Sequence, residues 1–336
     1  MNFCVYNNKN PWSFTTRVLT RPLDLLAVAA VLLAGCVHQA RPSPAPPVAL
    51  QAPADRVEDP RVRATLQAGG IDPDRLLCNT RVHWETRLEA YAGEIAKGLA
   101  TLWQVSPDQA AMKRARHHAL GYLVRSSFED TRLHNLGALA LKGRTYADEN
   151  GTRRPLLVFR SGLIFGQQGQ GVSACFESLV REARVRHVLN LYTGTFPFRD
   201  LIAAERQAAA RLGAGYFDAA EAPEANWRQE VEDEAAYRRN LPKVMAQIAS
   251  LMRGQILQPG AQPPRGNIYF HCGGGMHRSG MVFALLRRCL NQDPMPLIEQ
   301  EYKHHVGWIS DAEPGGFESL NLRLVRDFDC SLLTRP

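Results

Sequence analysis

The sequence predicts an α/β protein: a central, mainly parallel sheet flanked by helices, preceded by an N-terminal helical subdomain. Three observations carry this. From Pro155 onward, short apolar runs of strand length alternate with longer helix-period segments, which implies strands joined by helical crossovers. Between residues 61 and 150, apolar residues recur at three- and four-residue steps instead. The run Ile268-Tyr269-Phe270-His271 ends in Cys272, a glycine loop and a helix-like segment. A reactive side chain thus sits at the carboxyl end of a strand, where α/β sheets bind ligands.

Residues 1–36 read as a targeting segment. Arg17 and Arg21 precede an apolar run at 25–33 that is too short to span a bilayer and has the length of a signal-peptide core. It ends in Leu33-Ala34-Gly35-Cys36, which resembles the lipoprotein box of bacteria. That resemblance implies lipidation at Cys36 and a membrane partner through the lipid. Val37 after the cysteine points to the outer membrane, on its periplasmic side. Residues 37–60 carry Pro42, Pro44, Pro46, Pro47 and Pro53 among Ala and Gln. Such a stretch builds no core and serves as an extended tether.

Residues 61–150 read as mostly helical. Trp84, Leu88, Tyr91, Ile95, Leu99 and Leu102 form one amphipathic face, and a second run follows Pro107. His117 and His118 are adjacent in sequence, so they do not share a helix face and are not expected to bind a metal.

The catalytic unit is expected over 151–332. Leu156-Leu157-Val158-Phe159 is a buried strand running into Arg160-Ser161-Gly162. A helix over 175–184 leads to a strand at 187–191, and a helix over 201–212 closes at Gly213 and Gly215. A strand begins at Tyr216-Phe217, an acidic linker follows, and a helix spans about 234–252. After the central strand at 267–271 come helices at 281–291, 297–305 and 317–328.

The chemistry concentrates in His271-Cys272-Gly273-Gly274-Gly275-Met276-His277-Arg278-Ser279-Gly280. A helix starting near Arg278 offers unpaired N–H groups and the positive end of its dipole, which together bind anions. The three glycines let successive amides converge into a nest. The same field favours the thiolate of Cys272. Arg278 presents a planar fork to two phosphate oxygens. Ser279 can donate a hydrogen bond to the sulfur as it leaves. Thiolate attack on phosphorus would give a phosphocysteine, which water then hydrolyses.

This stretch resembles the His-Cys-x5-Arg-Ser/Thr-Gly signature of the cysteine-dependent protein tyrosine phosphatase superfamily, and every fixed position is matched. The resemblance implies a tyrosine-phosphatase-like sheet, a phosphorylated substrate and no cofactor. It implies Cys272 as nucleophile, with Gly273, Gly274, Gly275, Met276, His277 and Arg278 around the phosphate. The family's general acid lies on a loop after a Gly-Ile-x-Tyr-like strand, which here is Gly213-Ala214-Gly215-Tyr216-Phe217. Asp218 and Glu221 are both candidates, with Glu224 and Asp233 behind them.

Gly275-Met276-His277-Arg278-Ser279-Gly280, followed by Glu301-Tyr302-Lys303, is similar to the plant and fungal atypical dual-specificity branch, whose members hydrolyse inositol pyrophosphates. Met276 stands where that branch has Lys, which removes a cation and favours a less charged phosphoester such as phosphotyrosine. The expected activity is therefore protein tyrosine or dual-specificity phosphatase. An inositol (pyro)phosphate phosphatase and a phosphate-binding module with weak turnover are the alternatives.

Of the seven cysteines, Cys78, Cys175, Cys289 and Cys330 remain once Cys4, Cys36 and Cys272 are assigned, which allows two disulfides. No CxxC or HExxH metal spacing occurs. The formal charge of +7 suits acidic ligands. It is spread without a Lys/Arg run or a basic stripe carrying aromatics, which argues against nucleic acid.

Overall fold

The computed structural model describes residues 4–6, 14–16, 55–81, 134–164, 173–193, 198–222, 227, 234–305 and 316–334. The chain divides into two compact units, Met1–Pro53 and Ala54–Pro336. In the first, strand β1 (Cys4–Tyr6) pairs antiparallel with β2 (Phe14–Thr16). The apolar run at 25–33, Cys36, the helical stripe from Trp84 to Leu102, and His117 and His118 lie outside the described residues. Among those described, no helix is long and apolar enough to cross a membrane.

The second unit is built on a five-stranded sheet in the order β3-β4-β7-β5-β6. Its strands are β3 (Gly137–Ala147), β4 (Arg153–Ser161), β5 (Val185–Asn190), β6 (Gly215–Asp218) and β7 (Asn267–His271). β4, β7, β5 and β6 run parallel, and β3 is an antiparallel edge. The fold is thus the mixed, mostly parallel sheet flanked by helices that the alternating pattern predicts.

The strands bury both faces because successive side chains point to opposite sides. On one face Leu156, Val158, Leu189, Ile268 and Phe270 pack with α4 (Glu234–Met252), α5 (Arg278–Leu286) and α7 (Gly316–Asp327). On the other, Leu157, Phe159, Val188 and Tyr269 pack with α1 (Pro60–Ala68), α2 (Ala174–Arg181) and α3 (Arg199–Arg211). Every residue of α5 is buried, so the helix that follows the glycine loop is an internal one. It continues into a π-helical turn, Arg287–Asn291, before α6 (Met295–His305); the short α8 (Ser331–Thr334) closes the chain.

One expectation is corrected. Gly137–Ala147 lies in the segment read as mostly helical, yet it is a strand. Its Ala, Leu and Lys content favours helix locally, but pairing with β4 supplies the hydrogen bonds and burial that override that preference. The missed signal is Asp148-Glu149-Asn150-Gly151. The Asp148 side chain accepts from the Asn150 and Thr152 amides, Gly151 has a φ of 76°, and a hairpin turn results. A second adjustment concerns the tether: the packed unit begins at Ala54, and Val57 is buried in its core.

The four remaining cysteines pair as Cys78–Cys175 and Cys289–Cys330. The first ties the segment after α1 to the start of α2 across 97 residues. Converting both its cysteines to Ala is expected to lower unfolding free energy by about 2–5 kcal/mol. Urea unfolding monitored by circular dichroism checks this, and unchanged stability would mean the bridge constrains nothing.

Candidate active site

The centre of the site is the turn from β7 into α5. β7 is buried throughout and delivers Cys272 at its carboxyl end. The Cys272 Sγ lies 3.2 Å from Ser279 Oγ, close enough for the hydroxyl to donate to a thiolate. Cys272 is 5% exposed and its thiol is free. Arg278 opens α5 and donates from its NH2 to Thr193 Oγ1 at 2.8 Å. Thr193 lies just past the end of β5, so the guanidinium is oriented by a neighbouring strand.

The loop has a defined polarity. Gly273 O accepts from the Leu163 amide at 2.8 Å. Gly274 O accepts from Asn135 Nδ2, and Gly275 O accepts from Asn135 Nδ2 and from Arg160 NH1 at 3.0 Å. All three carbonyls therefore face donors behind the loop. In a trans peptide the C=O and the next N–H point in opposite directions. The amides of Gly274, Gly275 and Met276 thus face the other way, an arrangement suited to an anion. Gly275 is the position that demands glycine. Its φ is +71°, and a Cβ there would lie 2.3 Å from Gly162 N and 2.5 Å from Ser161 C. Met276 is buried, so its side chain is part of the core rather than a ligand group.

Two further residues brace the loop: Asn135, which carries no signature in the sequence, and Arg160, which opens the Arg-Ser-Gly triplet after the strand. Asn135, with a φ of 51°, clamps two loop carbonyls and His305 O. Arg160 is 1% exposed and holds Asn135 O and Gly275 O, and its NH2 meets His305 Nδ1. Burial pulls the Arg160 guanidinium down to about 9, against the upward pull of Cys272 and Asp59. It is still a cation at neutral pH. Burial, followed by the Arg160 charge, pushes His305 well below its ordinary value. A neutral His305 accepts from Arg160 at Nδ1.

Behind Cys272, His271 Nε2 meets Glu205 Oε2 at 2.7 Å, and that oxygen also accepts from Tyr216 OH at 2.8 Å. Glu205 is buried on α3, which fixes the imidazole relative to the sheet.

Of the two candidate acids, Asp218 is the last residue of β6 and Glu221 lies just past it, and both are held by Arg206. Asp218 is fully buried at its side chain. Its Oδ1 accepts from Asn190 Nδ2 at 3.1 Å and the Ala220 amide at 3.0 Å; its Oδ2 accepts from Arg206 at 2.9 Å. Arg199 adds an ion pair at 3.5 Å. These contacts knit β5, β6 and α3 together, and they commit Asp218 to structure. Glu221 is 56% exposed and pairs with Arg206 NH1 at 2.9 Å. The Arg206 hydrogen bond holds its carboxyl below the usual range. Glu224 and Asp233 lie outside the described residues.

A general acid must be protonated, so rate falls as pH rises through its pKa. Replacing Arg206 by Ala removes what depresses Glu221. If Glu221 delivers the proton, the basic limb of the kcat profile moves to higher pH in Arg206→Ala and disappears in Glu221→Gln. A basic limb unmoved by either substitution would remove Glu221 from the reaction.

No protein-family model matches the chain, and no curated protein matches it. Among solved structures, it is similar to the core catalytic domain of the PP-IP phosphatase Siw14 from S. cerevisiae in complex with citrate. The identity is 17% over 53% of this chain and 84% of that one, with a TM-score of 0.34. A second structure of the Siw14 catalytic core gives 17% identity over 53% of this chain and 83% of that one, also at 0.34. Likeness at this level carries nothing about substrate; the chemistry has to follow from the chain's own residues.

Proposed function

We propose that the protein is a phosphomonoester hydrolase that works through a phosphocysteine at Cys272 and acts on aryl phosphates of the phosphotyrosyl kind. The observation that carries this is the nucleophile in its setting. Cys272 Sγ sits beside Ser279 Oγ, next to a loop whose Gly273, Gly274 and Gly275 carbonyls are held by donors, which leaves the following amides for an anion.

In the first step the Cys272 thiolate attacks phosphorus. The S–P bond forms, the P–O bond to the leaving group breaks, and the leaving oxygen takes a proton from Glu221 or from water. Loop amides and the Arg278 fork hold the three equatorial oxygens as charge spreads over them. In the second step water attacks phosphorus, the S–P bond breaks, and inorganic phosphate leaves. Ser279 donates to the departing sulfur, which lowers the cost of regenerating the thiolate. Arg160, behind the loop, braces it by holding Gly275 O and does not itself reach the phosphate.

The aryl preference is supported by the wall beside Gly273. A Cβ there would lie 3.4 Å from Phe198 Cε2 and 3.6 Å from Tyr192 Cδ2. Those two rings pack edge to face at 5.4 Å, backed by Leu163 and Ile202. An aromatic leaving group gains from such a wall, whereas a densely charged inositol phosphate wants cations there. A cell-envelope setting, with Cys36 lipidated on the periplasmic side of the outer membrane, is part of the same proposal. The two disulfides support it, because such bridges persist in oxidising compartments.

The test is a substrate panel on the full chain: p-nitrophenyl phosphate, phosphotyrosyl and phosphoseryl peptides, and an inositol pyrophosphate. Aryl phosphates are expected to show the highest kcat/KM. A preference for the inositol pyrophosphate would overturn the aryl assignment. Vanadate binding without turnover of any substrate would make the protein a phosphate-binding module.

A further inference from the structure

At the amino-terminal end of the parallel strands, opposite the cysteine loop, five arginines converge on one concavity of about 260 Å³. Arg154 comes from β4, Arg181 from the last turn of α2, Arg184 and Arg186 from the entry to β5, and Arg265 from the approach to β7. Arg265 precedes Cys272 by one strand length, roughly 20 Å at about 3.3 Å per residue. The concavity is therefore separate from the reacting phosphate.

The charges there are not balanced. Asp148 pairs with Arg154 at 2.6 Å and Glu149 with Arg186 at 3.2 Å. Among the described residues no carboxylate pairs with Arg181, Arg184 or Arg265. Arg184 NH1 reaches Gly70 O at 3.4 Å, and Arg265 NH2 reaches Gln262 Oε1 at 2.9 Å. Three guanidiniums in excess around one hollow leave a local positive field that an entering anion would neutralise. The helix dipole accounts for a cation at the end of α2, but not for those supplied by two strands and a loop. Arg184 also has a φ of 53°, just past a helix end, where glycine is the favoured residue. The backbone there accepts strain with an arginine in place.

We propose that this concavity is a second anion site, for a phosphoryl or polyphosphoryl group held by arginine forks. The group could be carried by a soluble polyanion or by a lipid headgroup. The function of the site is to dock, since the reactive cysteine lies at the far end of the sheet. A surface bound here leaves the cysteine loop facing away from it. This inference stands whether or not the cysteine site turns over.

The test uses the full Cys272→Ser chain and inorganic tripolyphosphate, titrated by calorimetry. Arg181→Glu with Arg265→Glu is expected to weaken binding at one site about tenfold or more, the worth of one charge-assisted contact. Arg239→Glu with Lys243→Glu makes the same charge change at exposed positions on α4, which packs on the other face of the sheet, and is expected to leave that site intact. Retained circular dichroism shows that each pair folds. If both pairs weaken binding equally, overall charge is responsible and the site does not exist. A parallel flotation assay compares phosphatidylcholine vesicles with and without phosphatidylglycerol. Binding lost in the Arg181/Arg265 pair alone identifies a headgroup as the source. Tripolyphosphate binding without vesicle binding identifies a soluble polyanion. If neither probe distinguishes the two pairs, the proposal is wrong.

Discussion

Replacing Cys272 by Ser should abolish turnover of p-nitrophenyl phosphate, by roughly 10⁴-fold or more, while the protein still folds and still binds vanadate. The substitution keeps the size and the contact with Ser279 but removes a thiolate for which a hydroxyl is no substitute at neutral pH. Binding survives because the loop amides and Arg278 are untouched. Residual activity within tenfold of the unsubstituted chain would mean that water, not sulfur, attacks phosphorus. Arg278 and the loop amides would then be anion ligands around some other nucleophile.

Gly275→Val should be nearly as damaging, for a different reason. The position has a φ of +71°, and the atoms a side chain would strike, Gly162 N and Ser161 C, belong to the backbone of β4's end. Neither can swing aside as a flexible side chain would. Either the loop lifts off β4 or β4 moves, and both break the Arg160 and Asn135 contacts that turn the carbonyls away. Holding a β-branched residue at positive φ costs about 1–3 kcal/mol. A loop displaced by about 1 Å costs on the order of 10²-fold in kcat. Gly273→Ala is the contrast: its Cβ meets the Phe198 ring at 3.4 Å, an ordinary contact, so stability should hardly change. Thermal unfolding and kcat of the two variants check the distinction. Equal behaviour would show that the loop is not braced as described.

What the sequence disclosed and what it hid follow from the range over which each feature is encoded. The strand at Asn267–His271, the glycine turn and the buried helix behind it are local, so motif and periodicity sufficed. The helix Glu234–Met252 was legible for the same reason. β3 was not, because its residues favour helix on their own and only the partner strand decides otherwise. The bracing of the loop was hidden more deeply. Asn135 stands well over 100 residues from the carbonyls it holds, and its importance is a fact of packing. Arg160 was visible as part of an Arg-Ser-Gly triplet, but its reach to Gly275 and His305 was not. The acid assignment shows the limit most clearly. Spacing after β6 singled out Asp218 and Glu221, yet what decides their chemistry is Arg206 on α3, which binds both.

The central claim is a covalent phosphocysteine at Cys272. The most direct measurement mixes the full chain with p-nitrophenyl phosphate, quenches within the first turnover in alkaline denaturant, and maps phosphoryl groups by peptide mass spectrometry. One phosphoryl group is expected on the peptide carrying Cys272, absent when Cys272 is Ser. Phosphate release with no adduct on that peptide, and unaffected by Cys272→Ser, would contradict it.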